Sequence, residues 1–266
     1  MQERFDFSAY AQQVRKVSRT LVCSGRKIAE ISGSMHLLTV ASERDLLRFA
    51  EASEMSRVAC GPGCGACCVL NVSVLFPEAI AISWYLARSL TEKDLQKVRT
   101  RLHELLVATR WLDDEERLFL RQACAFLDRR KLCMIHRVRP LLCRAITSTN
   151  PAACREAIAM APLDGQPCVE MNLFQKNLFD TVYLGLGAAL KDSGLDHRPQ
   201  RLPSAVLALL ADPEMAELAA DARDDAEVDL GLAEFRGVGG DDEVAHHGQL
   251  APPAQRIARD GGDDRL

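Results

Sequence analysis

The sequence predicts a mainly α protein, a helical scaffold around a cysteine-rich metal-binding knot with little β structure. Three observations carry that prediction. Apolar residues recur at three- and four-residue intervals through most of the first 218 positions. Only the stretch Asn71-Val72-Ser73-Val74-Leu75 alternates as a strand does. Cys60, Cys64, Cys67 and Cys68 crowd into one loop with Gly61, Pro62, Gly63 and Gly65, in a chain of 266 residues that holds 10 cysteines.

The first helix is expected from Ser8, as N-cap, to about Leu21, with Tyr10, Val14, Val17 and Leu21 on one face. A second is expected to begin at Ser42-Glu43-Arg44-Asp45, with Leu46, Leu47 and Phe49 as its apolar side. After the cysteine loop, Pro77 suits the first turn of a helix over roughly 77–90, apolar on most sides and hence buried. Thr91 caps the next, whose Leu95, Val98, Leu102 and Leu105 form a single stripe. A short helix near 114–122 leads to the second cysteine region, and Asn150-Pro151 starts another. A long helix from about Val169 to Lys191 ends at Gly194, and PSAVLALLADPEMAEL adds a last helical piece.

Charge is unevenly spread. Residues 219–266 hold 12 acids, 5 bases and seven of the 16 glycines, whereas residues 1–218 hold 25 acids and 28 bases. The acidic, glycine-rich tail is therefore expected to be disordered. The expected division is a helical segment over 1–59, a metal-binding domain over 60–170, helices packing on it over 171–218, and that tail. A nearly neutral body lacks the basic footprint of a nucleic-acid binder. No apolar run approaches a membrane span, and the charged N-terminal stretch is not a secretory signal. A cytoplasmic protein whose thiols stay reduced is the expectation.

Nine thiols lie between Cys60 and Cys168: the first block, then Cys124, Cys133 and Cys143, then Cys154 and Cys168. Thiolates are soft ligands for zinc, which takes four at about 2.3 Å, and for iron–sulfur clusters. A glycine-rich loop can aim several side chains at one point, so the clustered thiols read as metal ligands rather than as small buried hydrophobes. Cys154 and Cys168 stand alone and divide evenly between the two readings. Cys23, far from both blocks, reads as a packing residue.

The spacing of Cys60, Cys64, Cys67 and Cys68 resembles the CxxCxxCC block of the YkgJ-type cysteine-cluster proteins, a zinc- or iron-chelating family. The second region is similar to that family's signature at Cys124, Phe126, Leu127, Cys133, Ile135, Arg139, Pro140, Cys143 and Arg144. The resemblance covers about 60–155 and implies metal binding without choosing the ion. Two positions depart from it: three residues, not two, separate Cys60 from Cys64, and His136 stands where many members have tyrosine. The resulting ligand candidates are Cys60, Cys64, Cys67, Cys68, Cys124, Cys133, Cys143 and Cys154, with His136 as a nitrogen alternative.

Four thiolates on a divalent ion carry a net charge of about −2, costly to bury uncompensated. Between 129 and 144 the chain has six cations and no acid. Arg129, Arg130 and Lys131 read as solvated turn residues, whereas Arg139 and Arg144, bracketing Cys143, read as hydrogen-bond donors supporting the metal–thiolate group. Elsewhere, His246 and His247 fall in the tail, the acids at 113–116 suit a helix start, and Gly185 and Gly187 suit close helix packing. Two other classes stay open beside a metal-binding protein for zinc or iron. One is an iron–sulfur enzyme, since a related cysteine block occurs in flagellin lysine methylases; the other is a zinc-stabilised module for protein interaction.

Overall fold

The computed structural model describes residues 5–25, 27–159 and 168–212. The expected tail at 219–266, with His246 and His247, lies outside the described residues, as does the end of the last expected helical piece. Those described fall within one compact unit. The protein is mainly α: α1 (Phe7–Leu21), α2 (Ile28–Phe49), α3 (Ala52–Ser56), α4 (Phe76–Ser89) and α5 (Glu92–Thr109) precede the second cysteine region. Within and after it come α6 (Asp114–Leu120), α7 (Leu141–Ala145), α8 (Pro151–Ala159), α9 (Leu173–Asp192) and α10 (Leu202–Leu210).

Two helix starts differ from expectation. Asp6, not Ser8, caps α1: its Oδ1 accepts from Ser8 N at 2.9 Å and Ala9 N at 3.0 Å. One carboxylate there satisfies two orphan donors and places negative charge at the positive end of the helix dipole. The second helix begins at Ile28 rather than Ser42. Ser42 is buried in mid-helix, where its hydroxyl donates to Leu38 O at 2.8 Å, a bond that lets serine sit inside a helix. Only Leu46 of the expected apolar face turns inward; Leu47 is 74% exposed.

Helix α4 sits between two cores, which is why it is apolar almost all round. Ala81 packs in one with Val14 of α1, Leu38 of α2, Leu141 of α7 and Leu186 of α9. Ala79, Ile82 and Leu86 pack in the other with the buried α5 stripe Leu95, Val98, Leu102 and Leu105, with α10, and with Phe126 and Ile135 of the cysteine region. Thr91 caps α5, accepting from Asp94 N at 3.2 Å. Asn172 caps α9 by accepting from Gln175 N at 2.8 Å, so that helix starts a little later than Val169. Gly194, with φ of 68°, follows its end.

The small-residue run in α9 is a packing device. A Cβ on Gly185 would lie 2.7 Å from Val14 Cγ1, so glycine lets α1 and α9 approach closely. Among the described residues the single sheet is one antiparallel pair, β1 (Ser73–Val74) with β2 (Gln200–Arg201), in the register Ser73 to Arg201 and Val74 to Gln200. Leu202 N donates to Val72 O at 2.9 Å, so the start of α10 is tied to the chain leaving the first cysteine block.

Candidate metal centre

The first cysteine block is a pair of tight turns. Cys64 N donates to Gly61 O at 3.0 Å, and Gly63 has a φ of 88°, the left-handed region glycine enters without strain. Cys67 and Cys68 lie in a 3₁₀ turn, Ala66–Val69, held by Cys68 N to Gly65 O at 3.1 Å and Leu70 N to Cys67 O at 3.1 Å. An extended backbone would send their side chains to opposite faces; the turn instead lets the two thiols hydrogen-bond to each other.

The second block is a hairpin. Met134 N donates to Phe126 O at 2.8 Å and Asp128 N to Leu132 O at 2.9 Å. Asp128 Oδ1 accepts from Arg130 N and Leu132 N, both at 2.8 Å, and Lys131 has a φ of 59°, so Arg129, Arg130 and Lys131 form an exposed tip. The blocks join through Cys124 N to Cys68 O at 2.7 Å. A Cβ on Gly65 would lie 2.8 Å from Leu127 Cδ2, which marks how closely the loop meets the hairpin. Cys143 enters on α7. The buried Glu78 accepts from Leu141 N and from Leu75 N, both at 2.8 Å, and so fastens the start of α7 to the start of α4.

These elements enclose one cavity of about 470 Å³. Cys60, Cys64, Cys67 and Cys68 line it from the first block, and Cys124, Cys133 and Cys143 from the second. His136 and Arg139 line it too. Cys154, on α8, packs near the first block and is an electrostatic neighbour of Cys60, yet is not part of the lining. Cys168 is exposed and outside it. Cys23 lies at the far end of α1 beside Ser193.

The two arginines that bracket Cys143 differ in what they touch. Arg139 donates from Nη2 to Cys143 O, and its buried Nε has no partner. Arg144 does not line the cavity. Its Nη1 pairs with Glu43, its Nε donates to Arg139 O at 2.9 Å and its Nη2 to Arg137 O at 3.1 Å, so its hydrogen bonds hold the 136–144 turn together. Sequence reasoning missed Arg117, which lies within the short helix expected near 114–122. It lines the cavity and is only 2% exposed; one terminal nitrogen donates to Gln122 O at 2.5 Å and Nη1, also buried, has no partner. No local signal could have separated it from its exposed neighbours.

Burial pushes most of these thiols toward the protonated form. Cys124 rises to about 11 and Cys143 and Cys133 rise as well, each with the nearby arginine charge opposing. Cys60 rises for the same reason. Cys67 goes the other way: the Cys68 S–H donates to it, and Arg139 adds its charge, while Cys68 is pushed up by making that donation. His136 is held down by burial and by Arg139 and Arg144. Among the described residues, no group of three His, Cys, Asp or Glu is already placed to hold one metal ion. The donor chemistry nonetheless fits a thiophilic metal: seven thiols and no carboxylate line the cavity, with cations among them. Ligation requires the thiols to lose their protons and to draw closer than they stand here. Added Cβ atoms at Gly61 and Gly63 would meet nothing within 4 Å, so the loop has room to move.

Most of this cavity, and every thiol that lines it, comes from the part of the chain that a family model also picks out; Arg201, Leu202 and Pro203 join it from outside that part. Residues 59–163 match CxxCxxCC, "Putative zinc- or iron-chelating domain". The match takes in both cysteine blocks and Cys154, and leaves Cys23 and Cys168 outside. No curated protein and no solved structure matches the chain. No helix among the described residues is long and apolar enough to cross a membrane.

Proposed function

We propose that the CxxCxxCC segment, within 60–170, is a metal-binding domain that holds zinc or iron on thiolates drawn from both cysteine blocks. One observation supports this most: seven thiols separated by up to 83 positions line a single cavity without any carboxylate. Cys67, Cys68, Cys124, Cys133 and Cys143 are the core ligand candidates, because their thiols are electrostatic neighbours within the cavity. Cys60, Cys64 and Cys154 form a second group that meets the first at Cys67. That division allows one ion with spare thiols, or two. Arg139 offsets thiolate charge from the cavity wall, and Arg144 adds to that offset at Cys133 while holding the turn that presents Cys143. When bound, the metal supplies a Lewis acid if it is zinc, or an electron carrier if iron is held as a cluster.

Elemental analysis of protein purified without oxygen tests the reading. About one or two zinc or iron atoms per chain are expected, by ligand counting. Cys133→Ser and Cys143→Ser should lower that content, whereas Cys23→Ala should not. Metal-free protein that stays folded with freely titrating thiols would refute the proposal. A brown, oxidant-bleached protein selects the cluster form, and a colourless one selects zinc.

A further inference from the structure

The cavity is larger than a metal ion needs, and much of its lining is not made of ligands. Besides the thiols it is lined by Leu70, Val72, Leu105, Leu106 and Leu202, apolar side chains contributed by the chain after the first block, by α5 and by the start of α10. Pockets for small organic molecules run to roughly 300–1,000 Å³ and combine such a surface with a few convergent polar groups; at about 470 Å³ this one falls in that range. Arg117, Arg139 and Arg201 supply guanidiniums, and Lys131 of the hairpin tip adds an ammonium. Among the described residues none of the three arginines has an ion-pair partner, and no acid lines the cavity.

The charges do not cancel even with a metal in place. Four thiolates on a divalent ion carry about −2; the three guanidiniums together with Lys131, which also lines the cavity, exceed that by about two units of positive charge. Arg201 directs Nη1 and Nη2 to Thr109 O and Leu112 O, both at 2.5 Å, and is held at the cavity wall. Arg117 is held by one bond and keeps a buried Nη1 without a partner, which is costly for a charged donor. Arg139 has Cys67, Cys133 and Cys143 as electrostatic neighbours, although its buried Nε is also without a partner. Arg117 has only Cys124 as such a neighbour.

We propose that the cavity takes a second occupant beside the metal: a small organic anion, its charged group held by Arg117 and its apolar body against Leu105, Leu106 and Leu202. This goes beyond metal binding and does not depend on which metal is held. The anion supplies the acceptor that Arg117 lacks and the charge that the thiolates leave uncompensated, while its chain covers apolar wall otherwise open to water.

Calorimetric titration of the full-length, metal-loaded protein with sodium octanoate tests the proposal, with octanol and octylammonium as neutral and cationic controls. One octanoate per chain should bind, and neither control should bind comparably. Arg117→Gln should weaken octanoate at least about ten-fold, the loss expected for a charge-assisted bond. Leu106→Trp, which fills the apolar end and leaves every charge in place, should abolish binding with metal content unchanged; it stands as the test if Arg117→Gln fails to fold. Equal binding of octanol, no binding of octanoate, or full octanoate affinity in both variants overturns the proposal. Loss of metal from Arg117→Gln with unchanged octanoate affinity does so too, and assigns Arg117 to thiolate support. The two proposals fail separately, because octanoate binding by protein that never contained metal refutes only the metal reading.

Discussion

Glu78 links protein stability to pH in a way the structure makes quantitative. Its carboxyl is 3% exposed, and burial raises it from 4.5 to about 7, although Leu75 N and Leu141 N both donate to it and Arg144 lies near. A carboxyl raised on folding binds its proton more tightly in the native state. Its contribution is full below the unfolded value and is lost as pH climbs through the folded one. A shift from 4.5 to about 7 corresponds to roughly 3 kcal/mol lost between those two values, at about 1.4 kcal/mol per unit. Glu78→Gln removes the titration but not the bulk, and costs about 1–3 kcal/mol at low pH by facing an amide N–H toward a backbone donor. Urea unfolding of both proteins at half-unit steps from pH 4.5 to 8 gives the difference directly, with titrations common to both cancelling. The variant should be the less stable at pH 4.5 and should close the gap, or overtake, above pH 7. Parallel curves would show that Glu78 keeps an ordinary carboxylate affinity despite its burial, and the reasoning would fail.

Gly185→Ala places a methyl 2.7 Å from Val14 Cγ1 and 3.2 Å from Ala11 O. It should destabilise the protein by about 1–3 kcal/mol in urea melts through overpacking, and leave metal content unchanged. The arginines around Cys143 should separate by readout. Arg144→Gln frees backbone carbonyls around a nearly buried guanidinium, while the lost pair with the half-exposed Glu43 is screened by solvent, so its main effect should be a stability loss of roughly 1–3 kcal/mol. Arg139→Gln should leave stability closer to wild type and speed metal loss to a chelator, because it withdraws charge from Cys67, Cys133 and Cys143.

Several elements were legible from local residues alone, because their causes lie within one or two helical turns. The Thr91 cap and the stripe Leu95, Val98, Leu102 and Leu105 are such a case, as are Pro77 in the first turn of α4 and Gly194 after α9. The cysteine spacing was equally local and pointed to thiolate chemistry without any coordinates. Failures arose where a residue's partner was distant or where two local patterns competed. Ser42 carries the features of a helix start, yet burial and a bond to Leu38 O keep it inside α2. Cys67 and Cys68 depended on whether their backbone was extended or turned, and the turn at Gly65 decided it.

The sequence by itself determined a mainly helical chain with thiols concentrated in two blocks, since periodicity, capping and composition act over short range. Only the tertiary structure decided that those blocks share one cavity, that Arg139 faces it while Arg144 fastens a turn, and that Arg117 and Glu78 are buried. The physical reason is burial, which sets desolvation and charge pairing. Glu78 meets Leu141 across 63 positions and Arg144 meets Glu43 across 101, while residues 73–74 pair with 200–201, and no short window of sequence contains both sides.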